Sequence, residues 1–301
     1  MHPAPSVIAF TALSGLGFGY LFFLGLGIPP ALGWDAFRAY LVAFCLSVSG
    51  LIASTFHLGN PGRAWRAFSQ WRSSWLSREA VVSAVALMVM GLYAAGAILQ
   101  GEIRAGLGII GATMCLGTVF CTAMIYARLK TVPRWNQMLT PVVFLFFSLT
   151  GGAMLAGQVW SAVCLTLMLT ATQALHWFVG DRCLADSGSC IGTATGLGPI
   201  GTVRLLEPPH TGTNYLLHEM AFKVGRKHSR RLRAITLLTV GLFPCTILIA
   251  APAGYLATGA ALALHIVGLF ASRWLFFAEA EHVQAFYYDR LRPKRKYPGR
   301  V

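Results

Sequence analysis

Residues Ala80–Leu99 read AVVSAVALMVMGLYAAGAIL, an unbroken run without a single charged side chain. A helix needs roughly 20 largely apolar residues to cross about 30 Å of hydrocarbon, and this run has that length with nothing in it that resists lipid. Seven other segments are largely apolar as well, the last of them with one arginine, Arg273: Val7–Ile28, Ala39–Phe56, Ala105–Ala127, Pro141–Gly157, Val159–Val179, Ala234–Tyr255 and Ala257–Phe277. Composition agrees. Of 301 residues, 56% are hydrophobic and 11% charged, and the mean hydropathy of +0.63 lies outside the range of soluble domains. The expected fold is all-α: one integral-membrane domain over 1–301, a bundle of eight transmembrane helices, with an extended loop at 181–233 and a basic tail at 282–301. The first span has no basic n-region and runs into the turn Gly27-Ile28-Pro29-Pro30, so it reads as a helix of the bundle rather than a signal peptide. No internal repeat or low-complexity segment interrupts this plan.

Working outward from the spans, the connections after the first, third, fifth and seventh carry only Arg38 and Arg104 as basic residues. The others are basic. Arg63, Arg66, Arg72 and Arg78 follow the second span, and Arg128, Lys130 and Arg134 follow the fourth. Eight more lie between Arg182 and Arg233, and six between Arg290 and Arg300. The positive-inside rule then places the even-numbered connections and both termini in the cytoplasm. A net charge of +14 needs no nucleic acid to explain it: membrane topology and attraction to anionic lipid account for it, and an acidic protein partner is the sharper reading.

Seven cysteines are scattered without a CxxC pair, so neither a zinc site nor an iron–sulfur cluster is expected within this chain. Chemistry must come from polar groups at helix ends. The richest stretch, Ser54 to Glu79, reads STFHLGNPGRAWRAFSQWRSSWLSRE. His57 closes the second span, Gly59-Asn60-Pro61-Gly62 is a turn, and Ser77 and Glu79 are expected as cap and first-turn acid of the third. Singly, His57 and Glu79 read equally well as interfacial polar residues. Together they are the groups that a quinone headgroup asks for, because its two carbonyl oxygens exchange protons as well as electrons. A second stretch, Tyr126 to Pro141, offers Tyr126 as a further donor and Trp135 as a ring flank, although the aromatic belt found at any membrane interface explains Trp135 better. Arg273 is expected to snorkel to the surface near Glu279, Glu281 and His282. His176 and His265 lie at different depths, which argues against haem ligation and for core hydrogen bonding.

The stretch Ile52-Ala-Ser-Thr-Phe-His57-Leu-Gly-Asn-Pro-Gly-Arg63-Ala, continuing to Leu76-Ser-Arg-Glu79, resembles the membrane-anchor subunit of bacterial dimethyl sulfoxide reductase, the DmsC-like family. Tyr126 to Pro141, with Thr131-Val132-Pro133, Trp135 and the later Gly151-Gly152, is similar to it too. The resemblance implies a heterotrimer: a molybdopterin-containing catalytic subunit, a four-cluster iron–sulfur subunit, and this anchor exchanging electrons with ubiquinone or menaquinone. Molybdopterin and clusters would reside in the partners only, and the anchor would not itself act on the sulfur substrate. It also implies that His57 and Glu79 serve the quinone. The candidate quinone contacts are then His57, Glu79, Tyr126, Arg63, Trp135 and Ser54, and the expected docking residues for partners are Arg66, Arg72, Arg134, Arg204, His210 and Asn214.

Dimethyl sulfoxide reductase itself carries its catalytic subunits outside, whereas here the His-Leu-Gly face is the basic, cytoplasmic one. That difference favours the sulfite-oxidising relatives, in which a cytoplasmic sulfite dehydrogenase reduces quinone at the bacterial inner membrane. The long loop after the sixth span, with Arg204-Leu-Leu-Glu207-Pro-Pro-His210 and an amphipathic stretch Asn214 to Ser229, points the same way. The competing readings are a quinol-oxidising reductase anchor, a transporter, and a structural anchor without a redox site. Against a transporter, the ionisable residues gather at one face and no broken helix pair appears in matching halves.

Overall fold

The computed structural model describes residues 2–207, 212, 228–251 and 254–288. Among these are eight long apolar helices and no strand: α1 Pro5–Gly25, α2 Gly33–Thr55, α3 Trp75–Gln100, α4 Ala105–Ala127, α5 Leu139–Leu155, α6 Val159–Asp186, α7 Ser229–Ala250 and α8 Tyr255–Ala278. Seven run to 21 residues or more, while α5 has 17, about 25 Å. α5 packs against α1, α4, α6 and α8, but the helix around which the others gather is α1, which meets α2, α3, α4, α5 and α8.

Lipid supplies no hydrophobic force between helices, so they associate where small residues let backbones meet. A Cβ on Gly19 would fall on the Ser148 carbonyl, one on Gly152 would fall on Gly19, and one on Gly50 would strike Ser14. Ser148 Oγ adds a hydrogen bond to the Gly15 carbonyl at 2.6 Å. These contacts lock α1 between α2 and α5. In α7 the chain widens into a π turn at Leu238–Leu242 just before Pro244, which has no N–H to give to the helix ladder.

Helices α2 and α3 are consecutive but meet only towards the end away from the basic face, where the Tyr40 and Tyr93 rings lie 6.2 Å apart: over the rest of their length α2 leans on α1, and α3 on α4. Connection 56–74 crosses between their ends on the basic face. On the same face, four charged side chains tie α6, α7 and α8 to the α4–α5 turn. Arg233 bridges Asp181 with both terminal nitrogens, at 2.8 and 2.7 Å, and reaches Glu279 with Nε at 2.8 Å. Arg134 meets Asp181 at 2.8 Å and lies 3.8 Å from Glu279.

The helices overrun their apolar sequence limits at this face. α3 begins at Trp75 rather than Ala80, α6 continues to Asp186, and α7 starts at Ser229. Charge ended the hydropathy signal, but Asp181 and Arg233 satisfy each other, so the helices continue past it. The expected loop 181–233 shrinks to 187–228 accordingly. Arg273 does not snorkel: it is 2% exposed, with its guanidinium carbon 3.5 Å over the Phe144 ring. The expected amphipathic stretch from Asn214, the docking residues His210 and Asn214, and the tail beyond 288 lie outside the described residues.

If the α1–α5 approach organises the bundle, Gly19→Val should cost at least the 1–3 kcal/mol of an overpacked core. Detergent-solubilised protein should then lose its monodisperse peak in size-exclusion chromatography, whereas Gly59→Val, with open space at the Cβ position, should retain it.

Candidate functional site

The first turn of α3 organises the basic face. Ser74 precedes the helix in extended backbone, and Arg78, on the first turn, folds the connection back by donating to the Trp71 carbonyl at 3.1 Å and the Arg72 carbonyl at 2.6 Å. The Arg78 guanidinium lies 4.4 Å over the Trp75 ring. Ahead of it, Pro61–Phe68 forms a 3₁₀ turn that buries no side chain of its own. Between this connection and α3 lies a groove of about 440 Å³, lined by Asn60, Arg63, Arg66, Gln70, Ser74 and Ser77, with Leu58 and Leu76 as apolar walls. Its size suits a small-molecule head, and its donors suit carbonyl oxygens.

His57 is exposed at the end of α2 beside this groove, which its neighbour Leu58 lines. Ser54 spends its hydroxyl proton on the Leu51 carbonyl of its own helix, at 2.6 Å. Arg63 does line the groove, and so does Arg66, expected as a docking residue. Arg72 and Arg204 are exposed.

Glu79 stands elsewhere. It is the fifth residue of α3 rather than a first-turn acid, and Ser77 is a buried helical residue rather than the cap. Position 79 faces the bundle, 4% exposed, where its carboxyl is hydrogen-bonded to Thr122 of α4. One turn on, the Tyr126 ring sits 5.2 Å from that of Trp135 and 5.4 Å from that of Phe276, with its phenol in the field of both Glu79 and Arg273. Trp135 is part of this interior cluster rather than an interfacial belt: it is 2% exposed, stacks on Phe276 at 5.1 Å, and donates from Nε1 to the Phe276 carbonyl at 2.8 Å.

The structure therefore gives two neighbouring features, an open groove beside His57 and an inner polar line of Glu79, Thr122 and Tyr126. It does not bring His57 and Glu79 into contact. Arg134, expected to dock a partner, turns inward to Asp181. Sequence reasoning missed Thr122, although it lies four residues before Tyr126 and hence on the same helix face. The partnership of Asp181, Arg233 and Glu279 was missed as well, and no local spacing signals it. His176 has a partner in Thr140, with Nε2 3.3 Å from Oγ1, and His265 packs against Phe147.

Residues 2–179 match the family model described as DMSO reductase anchor subunit (DmsC). The chain belongs to this family. The anchor is 34% identical to a subunit of the sulfite dehydrogenase of Allochromatium vinosum, over 97% of this sequence and 100% of that one. It is 32% identical to YnfH, an anaerobic dimethyl sulfoxide reductase component of Escherichia coli, over 56% of this sequence and 61% of that one. With a second anaerobic dimethyl sulfoxide reductase component of the same organism it shares 33% identity over 35% of this sequence and 38% of that one. No solved structure matches it. Every residue of the groove and of the Glu79 line falls within the family match, whereas Asp181, Arg233, Arg273 and Glu279 fall beyond it.

Glu279 is the deeper carboxylate of the ionic quartet, at 6% side-chain exposure against 47% for Asp181. Glu279→Gln leaves Arg233 and Arg134 with Asp181 alone, and should destabilise the anchor by about 2–3 kcal/mol, less than a fully buried pair because Asp181 is solvated. Thermal unfolding of the solubilised protein measures it.

Proposed function

We propose that this anchor exchanges electrons between an iron–sulfur subunit and the quinone pool, as the membrane subunit of a molybdopterin enzyme that oxidises sulfite. What supports the sulfite reading over sulfoxide reduction is coverage: the similarity to the sulfite dehydrogenase subunit spans nearly the whole length, including α7 and α8, whereas that to the reductase components covers 56% or less of it.

The quinone reading rests on the groove. Reduction of a quinone takes up two electrons, and two protons at its carbonyl oxygens. The chain's own part is to hold those oxygens and supply the protons. Asn60, Arg63 and Ser77 are donors on the groove wall, His57 stands at its rim, and the parting of α2 from α3 gives an isoprenoid tail a way in from the lipid. Behind Ser77, Glu79 is a buried carboxyl with no cation within ion-pair distance among the described residues. Ionisable groups at such depth are costly in lipid and are kept for function. We assign it the storage and delivery of protons, with Tyr126, one turn beyond Thr122 on α4, as the next polar group.

The orientation follows from charge. With the basic face inside, both termini, the groove and the partner subunits are cytoplasmic, and protons are taken up and released on one side. A C-terminal reporter tests this directly: a fluorescent protein should be bright and alkaline phosphatase inactive. The reverse pattern would favour the second reading, an exported reductase that draws electrons from quinol.

In the assembled complex, Glu79→Gln and His57→Ala should each lower sulfite-dependent quinone reduction by about 10²-fold or more, in the range of a lost general acid or base. Sulfite oxidation with an artificial acceptor should be unchanged. Full quinone turnover in both variants would remove the site from this groove.

A further inference from the structure

Thr122 has one hydroxyl proton and two acceptors within reach. Its Oγ1 lies 3.0 Å from the Thr118 carbonyl one turn back on α4, and it is also hydrogen-bonded to the Glu79 carboxyl on α3. A hydroxyl donates once and accepts twice, so it cannot serve both acceptors as donor. The protonation of Glu79 decides which it serves. With Glu79 ionised, the carboxylate is acceptor only and takes the Thr122 proton. With Glu79 protonated, the carboxyl O–H donates to Thr122 Oγ1, and the Thr122 proton is free to point at the Thr118 carbonyl. Each arrangement leaves every proton bonded, and apart from the proton on Glu79 they differ by a rotation about the Thr122 Cβ–Oγ1 bond.

The other groups around Glu79 do not take this role. Arg78, its neighbour on α3, donates to the Trp71 and Arg72 carbonyls. From α4, Cys121 and Tyr126 face the same region, and both feel the Glu79 charge without a hydrogen bond to it. Arg273 of α8 lies behind, against Phe144, and acts on Tyr126. Among the described residues, Thr122 is the hydrogen-bond partner that the carboxyl has.

We propose that Thr122 is a positioning residue for Glu79: its hydroxyl turns to the carboxylate when Glu79 releases its proton and back to the Thr118 carbonyl when Glu79 regains one. The Thr122 proton stays on its own oxygen throughout, and the proton that moves is that of Glu79. The inference rests on Glu79 as the proton carrier of the quinone reaction, but the state of the carboxyl is readable without turnover.

The test uses the intact complex with Thr122→Val, which keeps the shape and removes the hydroxyl, Thr122→Ala as a second hydroxyl-free variant, and Thr122→Ser, which restores it. Infrared difference spectra across pH follow the protonated carboxyl C=O band, assigned by its loss in Glu79→Gln. A hydrogen bond to a charged group corresponds to about one to two pH units, so in Thr122→Val and Thr122→Ala the band should persist about one unit or more higher in pH. The matching limb of the quinone-reduction rate profile should move the same way, and Thr122→Ser should restore both. An unmoved band in Thr122→Val or Thr122→Ala, or a Thr122→Ser protein that behaves like Thr122→Val, overturns the proposal. A band that moves while the rate profile stays still supports Thr122 as positioning residue and removes Glu79 from the quinone reaction.

Discussion

Inside hydrocarbon no water stands in for a missing partner, so each buried polar group of this bundle must find its partner in protein. That constraint shapes every part of the molecule. Along α1, serine and threonine hydroxyls return to carbonyls of their own helix, as Thr11 and Ser14 do to Val7 and Phe10, which leaves glycine faces free for backbone contact. At the basic end, two carboxylates and two guanidiniums close on one another. Where satisfaction is incomplete, as at Glu79 with a single hydroxyl or Arg273 with aromatic rings, burial carries a cost that the rest of the fold must meet.

The number and order of the helices were legible because hydropathy reports length directly, and Ala105–Ala127 was legible to both ends. The basic-side ends of α3, α6 and α7 were not. Hydropathy stops at the first charge, whereas a helix stops where its hydrogen bonds lose their partners. Asp181 and Arg233 are charged yet paired across helices, and a partner 52 residues away leaves no trace in a local window.

The site was legible in residue types more than in arrangement. His57 and Glu79 end consecutive helices, and in a tight hairpin they would meet; here α2 and α3 lean on different neighbours, so sequence proximity overstated spatial proximity. Trp135 shows the opposite error. Aromatic residues at a helix boundary belong to the interfacial belt by default, but the 128–138 turn tucks Trp135 under α8, where its indole N–H finds the Phe276 carbonyl. Arg134, read as a docking cation, was drawn in by carboxylates that the sequence places far away. Thr122 is the clearest missed residue, since a threonine in an apolar helix carries no signal until the facing carboxylate is known.

The clamp of Arg233 on Asp181 also bears on how this anchor diverges. It holds the end of α6 to the start of α7, and closing a longer loop between them adds only about 0.6 kcal/mol per doubling of length. Length can therefore change in connection 187–228 at a small entropic cost. A family with relatives in a sulfite dehydrogenase and in dimethyl sulfoxide reductases thus has one place where its anchor can be refitted, and the hinge of that versatility is a single bidentate ion pair rather than the groove beside His57.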